Sequence, residues 1–149
     1  MLSLIKTNSD SSDFRSLVVA LDADLQARYG EQQSFFSQFN KLDHIHHVIV
    51  AYENNQPIGC GAFKEYELGV AEIKRMYVKP ELRGKGIAAE ILSNLEEWAK
   101  DEGFKTCILE TAIKQPEAIR LYEKSGYTRI PNYGQYIGVE ISLCMQKQL

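Results

Sequence analysis

The run Arg83-Gly84-Lys85-Gly86-Ile87-Ala88 carries the residue types best suited to holding an anion. Two glycines remove the Cβ atoms that would keep an anion away from the backbone. A helix starting there would offer unpaired N–H groups and the positive end of its dipole. The chemistry is that of a pyrophosphate seat, with Arg83 and Lys85 adding mobile positive charge. The same letters from Gly84 to Ala89 also satisfy G-x-G-x-x-A, and Glu110 stands 21 residues past Ala89, where a dinucleotide-binding turn places its ribose-binding acid. That turn follows its strand directly, whereas Lys79 to Arg83 separates strand from glycine here. Too little chain remains for a doubly wound sheet.

Other residues invite chemistry less strongly. Cys60, Cys107 and Cys144 are odd in number, far apart, and set in apolar strand-like runs. They read as buried free thiols in a reducing compartment, without C-x-x-C spacing. His44 and His46 alternate onto one side of a strand while His47 points away, with no acid or cysteine spaced to complete a metal shell. No metal site is expected. Arg75 could grip a carboxylate in bidentate fashion or sit in a surface ion pair.

A regular scaffold must position these groups. Leu2 to Lys6 reads as a strand, and Ser11, Ser12 and Asp13 supply caps for a helix carrying Phe14, Leu17, Val18, Leu21 and Leu25 on one face. A short helix follows over Ser34 to Phe39. His46 to Tyr52 and Ile58 to Tyr66 form a hairpin about Glu53 to Pro57. Val70 to Val78 is the next strand. Its apolar phase slips once, with Ile73 three residues from Met76 and Met76 two from Val78, which points to a β-bulge near Lys74-Arg75 or to burial of both faces. Ile87, Ala88, Ile91, Leu92, Leu95, Trp98 and Ala99 then make one face of a helix running to Lys100, with Glu96 among the residues off that face. Lys105 to Thr111 is a strand, Gln115 to Ser125 a helix with Pro116 in its first turn and Gly126 at its exit. Thr128 to Ile130 and Val139 to Gln146 complete the strands, joined by an aromatic loop.

The 149 residues fit one domain, 1–149, able to bury roughly two thirds of its unfolded surface. A charged fraction of 25%, a hydrophobic fraction of 44% and a net charge of −3 give no general attraction to nucleic acid or acidic membrane. No segment approaches the roughly 20 apolar residues of a membrane span, so a cytoplasmic location is expected. Exposed aromatics after Pro131 make a homodimer credible.

Two motifs in order, Arg83-x-x-Gly86-x-Ala88 and Ala118-x-x-Leu121-Tyr122-x-x-x-Gly126-Tyr127, lie one helix and one strand apart. With Glu72 to Pro80 before them, they resemble the GNAT family of acyl-CoA-dependent N-acetyltransferases. The resemblance is firm from about Val48 to Tyr127. It implies an α/β fold: a mixed, mostly antiparallel sheet of six to seven strands, flanked by about four helices and splayed between strands 4 and 5. It also implies transfer of acetyl from acetyl-CoA to a primary amine by direct attack. A small molecule, an amino acid or related amine, is favoured as acceptor. A peptide amine, or a non-catalytic acyl-CoA-binding regulatory module, is the alternative.

The resemblance further implies roles. Backbone amides of Leu82, Arg83, Gly84, Lys85, Gly86, Ile87 and Ala88 would hold the coenzyme A pyrophosphate, and Met76, Tyr77 and Val78 would meet its pantetheine arm through main-chain groups. A backbone N–H near Tyr77 would polarise the thioester carbonyl. Tyr122 would be the general acid for the leaving thiolate, and Glu72 the base that frees the amine of its proton, an alkylammonium being mostly charged at neutral pH. Gln115 stands where many relatives carry a pantetheine-binding asparagine, and retains both donor and acceptor. Tyr29, Phe36, Tyr133 and Tyr136 come from segments that flank the acceptor cleft in that family and could line it or fill small satellite cores, and Arg75 could grip a substrate carboxylate there or sit in an ion pair on the outer sheet face.

Overall fold

A computed structural model describes residues 1–29, with Tyr29 by its backbone alone, and 45–149. The strands are β1 (Leu2–Thr7), β2 (His47–Glu53), β3 (Gln56–Glu67), β4 (Val70–Val78), β5 (Thr106–Ala112), β6 (Thr128–Ile130) and β7 (Ser142–Gln148). The helices are α1 (Ser12–Tyr29), α2 (Ile87–Asp101) and α3 (Pro116–Lys124). One seven-stranded sheet has the order β1-β2-β3-β4-β5-β7-β6, antiparallel except where β4 meets β5. That pair is parallel because α2 forms the crossover between its strands. Six to seven strands were expected and seven are seen among the described residues. Three helices rather than about four are seen among the described residues, and the expected Ser34–Phe39 helix lies outside them, as do Phe36 and His44.

The sheet is buried on both faces, so its central strands read as apolar runs. Val48, Val50, Cys60 and Ala62 face α1, which contributes Phe14, Leu17, Val18 and Leu21 to that core. Ile49, Phe63, Ile73, Leu109 and Met145 face α2 and α3, against Ile91, Leu92 and Leu95. The Ser11 hydroxyl accepts from the N–H of Phe14 at 3.2 Å, which caps α1. Asn54 and Asn55 take φ of 52° and 64°, the left-handed pair that a two-residue hairpin turn needs. α2 lies so close to β3 that a Cβ on Gly61 would come within 2.5 Å of Met76 Sδ and 2.8 Å of Leu95 Cδ1.

Three details depart from the expected pattern. Glu96 is buried on α2, its Oε1 accepting from Lys147 Nζ at 2.9 Å; the partner sits on β7, which the helical spacing does not see. β7 starts at Ser142 rather than Val139 because Asn132 Nδ2 donates to the carbonyls of Tyr136, Val139 and Ser142, folding that stretch into turns. His47 stacks on Phe63 with centroids 4.4 Å apart and meets Glu102 at 2.9 Å. All three cysteines are buried and free, and burial pushes Cys60 and Cys107 up to about 12 and Cys144 up to about 11. They are poor nucleophiles at neutral pH. Among the described residues no helix is long and apolar enough to cross a membrane.

Candidate active site

The site begins where the sheet comes apart. β4 and β5 pair from Val70 with Thr106 to Ile73 with Leu109, and there the ladder stops although both strands continue. On the other edge of β4, Ala62 pairs with Lys74 and Cys60 with Tyr77, so two steps along β3 answer three along β4. The extra residue is a bulge, with Arg75 at φ 59°, a left-handed conformation rare outside glycine. Ile73 and Met76 thereby reach the same helix-bearing face, while β4 is also buried on both sides; the two explanations of the phase slip hold together. Past Ile73 the backbone of β4 turns a free edge toward the fork, able to bond an extended ligand.

A cavity of about 460 Å³ opens from this fork. Met76, Tyr77 and Val78 form one wall, Leu82, Arg83, Gly84, Gly86, Ile87 and Ala88 the end, and Gln115, Ala118, Leu121 and Tyr122 the other side. Gly84 and Gly86 have φ of 82° and 83°, and a Cβ on either would meet no atom within 4 Å, so both face open space. Gly86 is the N-cap of α2, without a side-chain cap. The first-turn N–H groups of α2 are thus left for an anion, and the cradle fits a diphosphate.

Arg83 is not the mobile cation expected from the sequence. Its Nε donates to the Val78 carbonyl at 2.8 Å, Nη2 reaches Asp24 at 3.5 Å, and its guanidinium lies 5.5 Å from the Tyr77 ring centroid. Asp24 in turn stands 3.7 Å from Arg28, which pairs with Glu117 at 2.6 Å and so ties α1 to α3 across the cavity mouth. Lys85 is exposed at the turn and stays off the cavity wall.

A second, smaller cavity of about 120 Å³ continues from the first and is lined by charged groups: Glu72, Lys74, Arg75 and Glu110, beside Thr111 and Tyr136. Tyr122, Met76 and Gln115 line both cavities. Leu21 and Ala118 do so too, and among these five Tyr122 brings a hydroxyl to the junction. Burial first, and then the charge of Glu110, raise its pKa, so the phenol stays protonated.

Glu72 is 3% exposed, and its Oε2 accepts from the Tyr133 hydroxyl at 2.7 Å. Tyr133 stands behind Glu72 rather than on the cavity wall; Tyr136, 2% exposed, is on the wall. Arg75 donates from Nη1 to Asp22 at 3.0 Å, and its buried Nε has no partner. Its ion pair faces α1, and the side chain itself is buried rather than on an outer surface. Gln115 accepts from the Thr111 hydroxyl at 3.4 Å, a long bond that orients its amide between the cavities. Tyr29's side chain lies outside the described residues.

Sequence reasoning passed over the carboxylate most altered by its surroundings. Glu110 accepts from Ser142 Oγ at 2.9 Å, and its pKa is pushed up to about 7, chiefly by burial and further by the charge of Glu72, against the pull of Ser142 and Lys74. The available signal was an acid inside the apolar strand Thr106–Ala112.

A forked sheet with a glycine cradle at a helix start is the architecture of one family of acetyltransferases. The chain matches the model of the Acetyltransferase (GNAT) family over residues 13–127 and belongs to that family. It is 36% identical over 102 residues to the IAA acetyltransferase of Azospirillum brasilense, an alignment spanning 68% of this chain and 67% of that one. A Klebsiella pneumoniae protein whose crystal structure is named as an acyl-CoA N-acyltransferase superposes with a TM-score of 0.83 and 29% identity, over 100% of this chain and 98% of its own. The PaiA N-acetyltransferase of Thermoplasma acidophilum, crystallised with coenzyme A, shares the fold at a TM-score of 0.75 and 19% identity, over 100% of this chain and 99% of that one.

Proposed function

We propose that this protein transfers an acetyl group from acetyl-CoA directly to the primary amine of a small molecule, an amino acid or related amine. The observation that carries the reading is that Tyr122 lines both the long, largely apolar cavity and the small charged one. A donor at that junction stands between a thioester lying in the first and an amine lying in the second.

The cosubstrate supplies an acyl group activated toward amines. The glycine cradle and the first turn of α2 hold its diphosphate, and the free edge of Met76 to Val78 holds its amide arm. Tyr122 gives its proton to the sulfur as the carbon–sulfur bond breaks. The amine enters among Glu72, Lys74, Arg75 and Glu110. Arg75 offers a buried cation for an acceptor's carboxylate, and the small volume of this cavity favours a compact acceptor. Tyr136 closes its side.

The test is thiol release from acetyl-CoA across amino acids, polyamines, aminoglycosides and peptides. Turnover is expected with a compact amine and is fastest where the amine neighbours an anionic group. Coenzyme A binding without turnover on any amine would refute the transferase reading in favour of a binding module.

A further inference from the structure

We propose that the protein acetylates its own Lys74, a half-buried lysine on the wall of the small cavity, and that the acetylated chain is closed to other acceptors. The inference rests on the transferase reading for its acyl donor and goes beyond it by naming a modification site within the chain.

The backbone puts this amine where an acceptor would sit. Lys74 is the first residue of β4 past Ile73, the last that pairs with β5, so its side chain leaves the sheet where the fork opens. It pairs with Ala62 of β3, which faces α1, and strand alternation gives Lys74 the same face as Glu72 two residues before it. Arg75, the next residue, is held at the bulge by its ion pair with Asp22, which fixes the direction in which Lys74 departs. Lys74 and Tyr122 both line the small cavity, and Tyr122 also lines the long one. The small cavity has a volume of only about 120 Å³, and the stem of a lysine is flexible. An acyl carbon passing the Tyr122 hydroxyl therefore enters a space that already holds an amine.

The surroundings favour that amine over others in the chain. Burial lowers the pKa of Lys74, with Lys64 and Arg75 acting in the same direction and Glu72 and Glu110 against it, so more of the amine is neutral than in a lysine facing water. Lys124 lines the long cavity and Lys85 stands at the glycine turn, but both are exposed.

The step balances without a further reactant. The Lys74 ammonium loses one proton to water, and its lone pair forms a bond to the acyl carbon of acetyl-CoA. The carbon–sulfur bond breaks, the Tyr122 phenol protonates the sulfur, and the remaining excess proton on nitrogen returns to the Tyr122 phenolate. The products are coenzyme A and an N-ε-acetyl-lysine. An amide does not pass its acyl group on, so the event occurs once per chain. It removes a positive charge and adds an acetyl group to a cavity with little room for both that group and an acceptor.

Full-length protein incubated with acetyl-CoA bearing 13C in its acetyl group, with no amine added, tests the proposal by mass spectrometry. One labelled acetyl should appear per chain, mapping to Lys74 ahead of Lys85 and Lys124. Tyr122→Phe should slow its appearance about 100-fold or more, and Lys74→Arg should abolish that site. After this incubation, turnover of ethylamine and glycine should fall in proportion to the chains labelled. Lys74→Gln, a neutral stand-in for the acetylated side chain, should lose about tenfold or more in kcat/KM for both amines while calorimetry finds coenzyme A affinity unchanged. Label spread over exposed lysines at a rate that Tyr122→Phe does not alter, or labelled protein as active as unlabelled, overturns the proposal. Thiol release with either amine while Lys74 stays unlabelled also overturns it and leaves the transferase standing. Coenzyme A binding with neither thiol release nor label overturns both.

Discussion

Glu110→Gln should make the protein more stable, and only above the acid range. The amide keeps the shape of the side chain and an acceptor for Ser142 but cannot ionise. Glu110 is raised from 4.5 to about 7, a shift of roughly 2.5 units, which at about 1.36 kcal/mol per unit amounts to about 3 kcal/mol. Below pH 4.5 both folded and unfolded chains hold the proton and the charge has no effect. Between 4.5 and about 7 the unfolded chain ionises while the folded one does not, so the folded state binds more protons and loses stability as pH rises. Above about 7 the loss is complete. Urea melts of both proteins at pH 4, 5.5, 7 and 8 should therefore nearly coincide at pH 4 and diverge to about 2–3 kcal/mol by pH 8, water in the cavity relieving part of the burial. That is a rise in Tm of about 4–12 °C for a chain of this size. Curves that stay parallel from pH 4 to 8, or that diverge toward acid, would show that burial does not govern this carboxylate.

Other substitutions probe other links. Tyr122→Phe should lower kcat by about 100-fold or more while calorimetry finds coenzyme A affinity unchanged, because the ring remains and only the donated proton is lost. Gly86→Glu sets a side chain and a negative charge at φ 83° in front of the α2 start. Coenzyme A affinity should fall by at least tenfold, and undiminished calorimetric affinity would reject the diphosphate seat. Gly61→Ala forces a Cβ against Met76 and Leu95, and overpacking of this kind costs about 1–3 kcal/mol; a thermal melt should show it as a drop in Tm of about 2–12 °C.

Features written into one stretch of chain were legible. The glycine turn, the buried stripe of α2, the Asn54-Asn55 hairpin and the phase slip at Arg75 each follow from spacing within about a dozen residues, because helix and strand periodicity are local. What escaped were partnerships across sequence. Ser142 is 32 residues from Glu110, Asp24 is 59 from Arg83, and Tyr133 is 61 from Glu72. Nothing in the spelling around Arg83 says that an aspartate on α1 will tie it down. Glu96 reads as a solvent-facing residue until β7 brings Lys147 beneath it.

The bulge explains why the charged groups gather where they do. A regular β4 would continue its ladder with β5 beyond Ile73 and close the space that Lys74 and Glu110 line. By inserting one residue, the chain ends that ladder, and the same disruption both frees the β4 edge toward the long cavity and opens the fork in which Glu110 stands. The left-handed Arg75 costs on the order of 1 kcal/mol or more, and its ion pair with Asp22 anchors the distorted residue to α1. The free β4 edge and the small charged cavity are thus two consequences of one backbone irregularity, and a change that straightened β4 would be expected to remove both together.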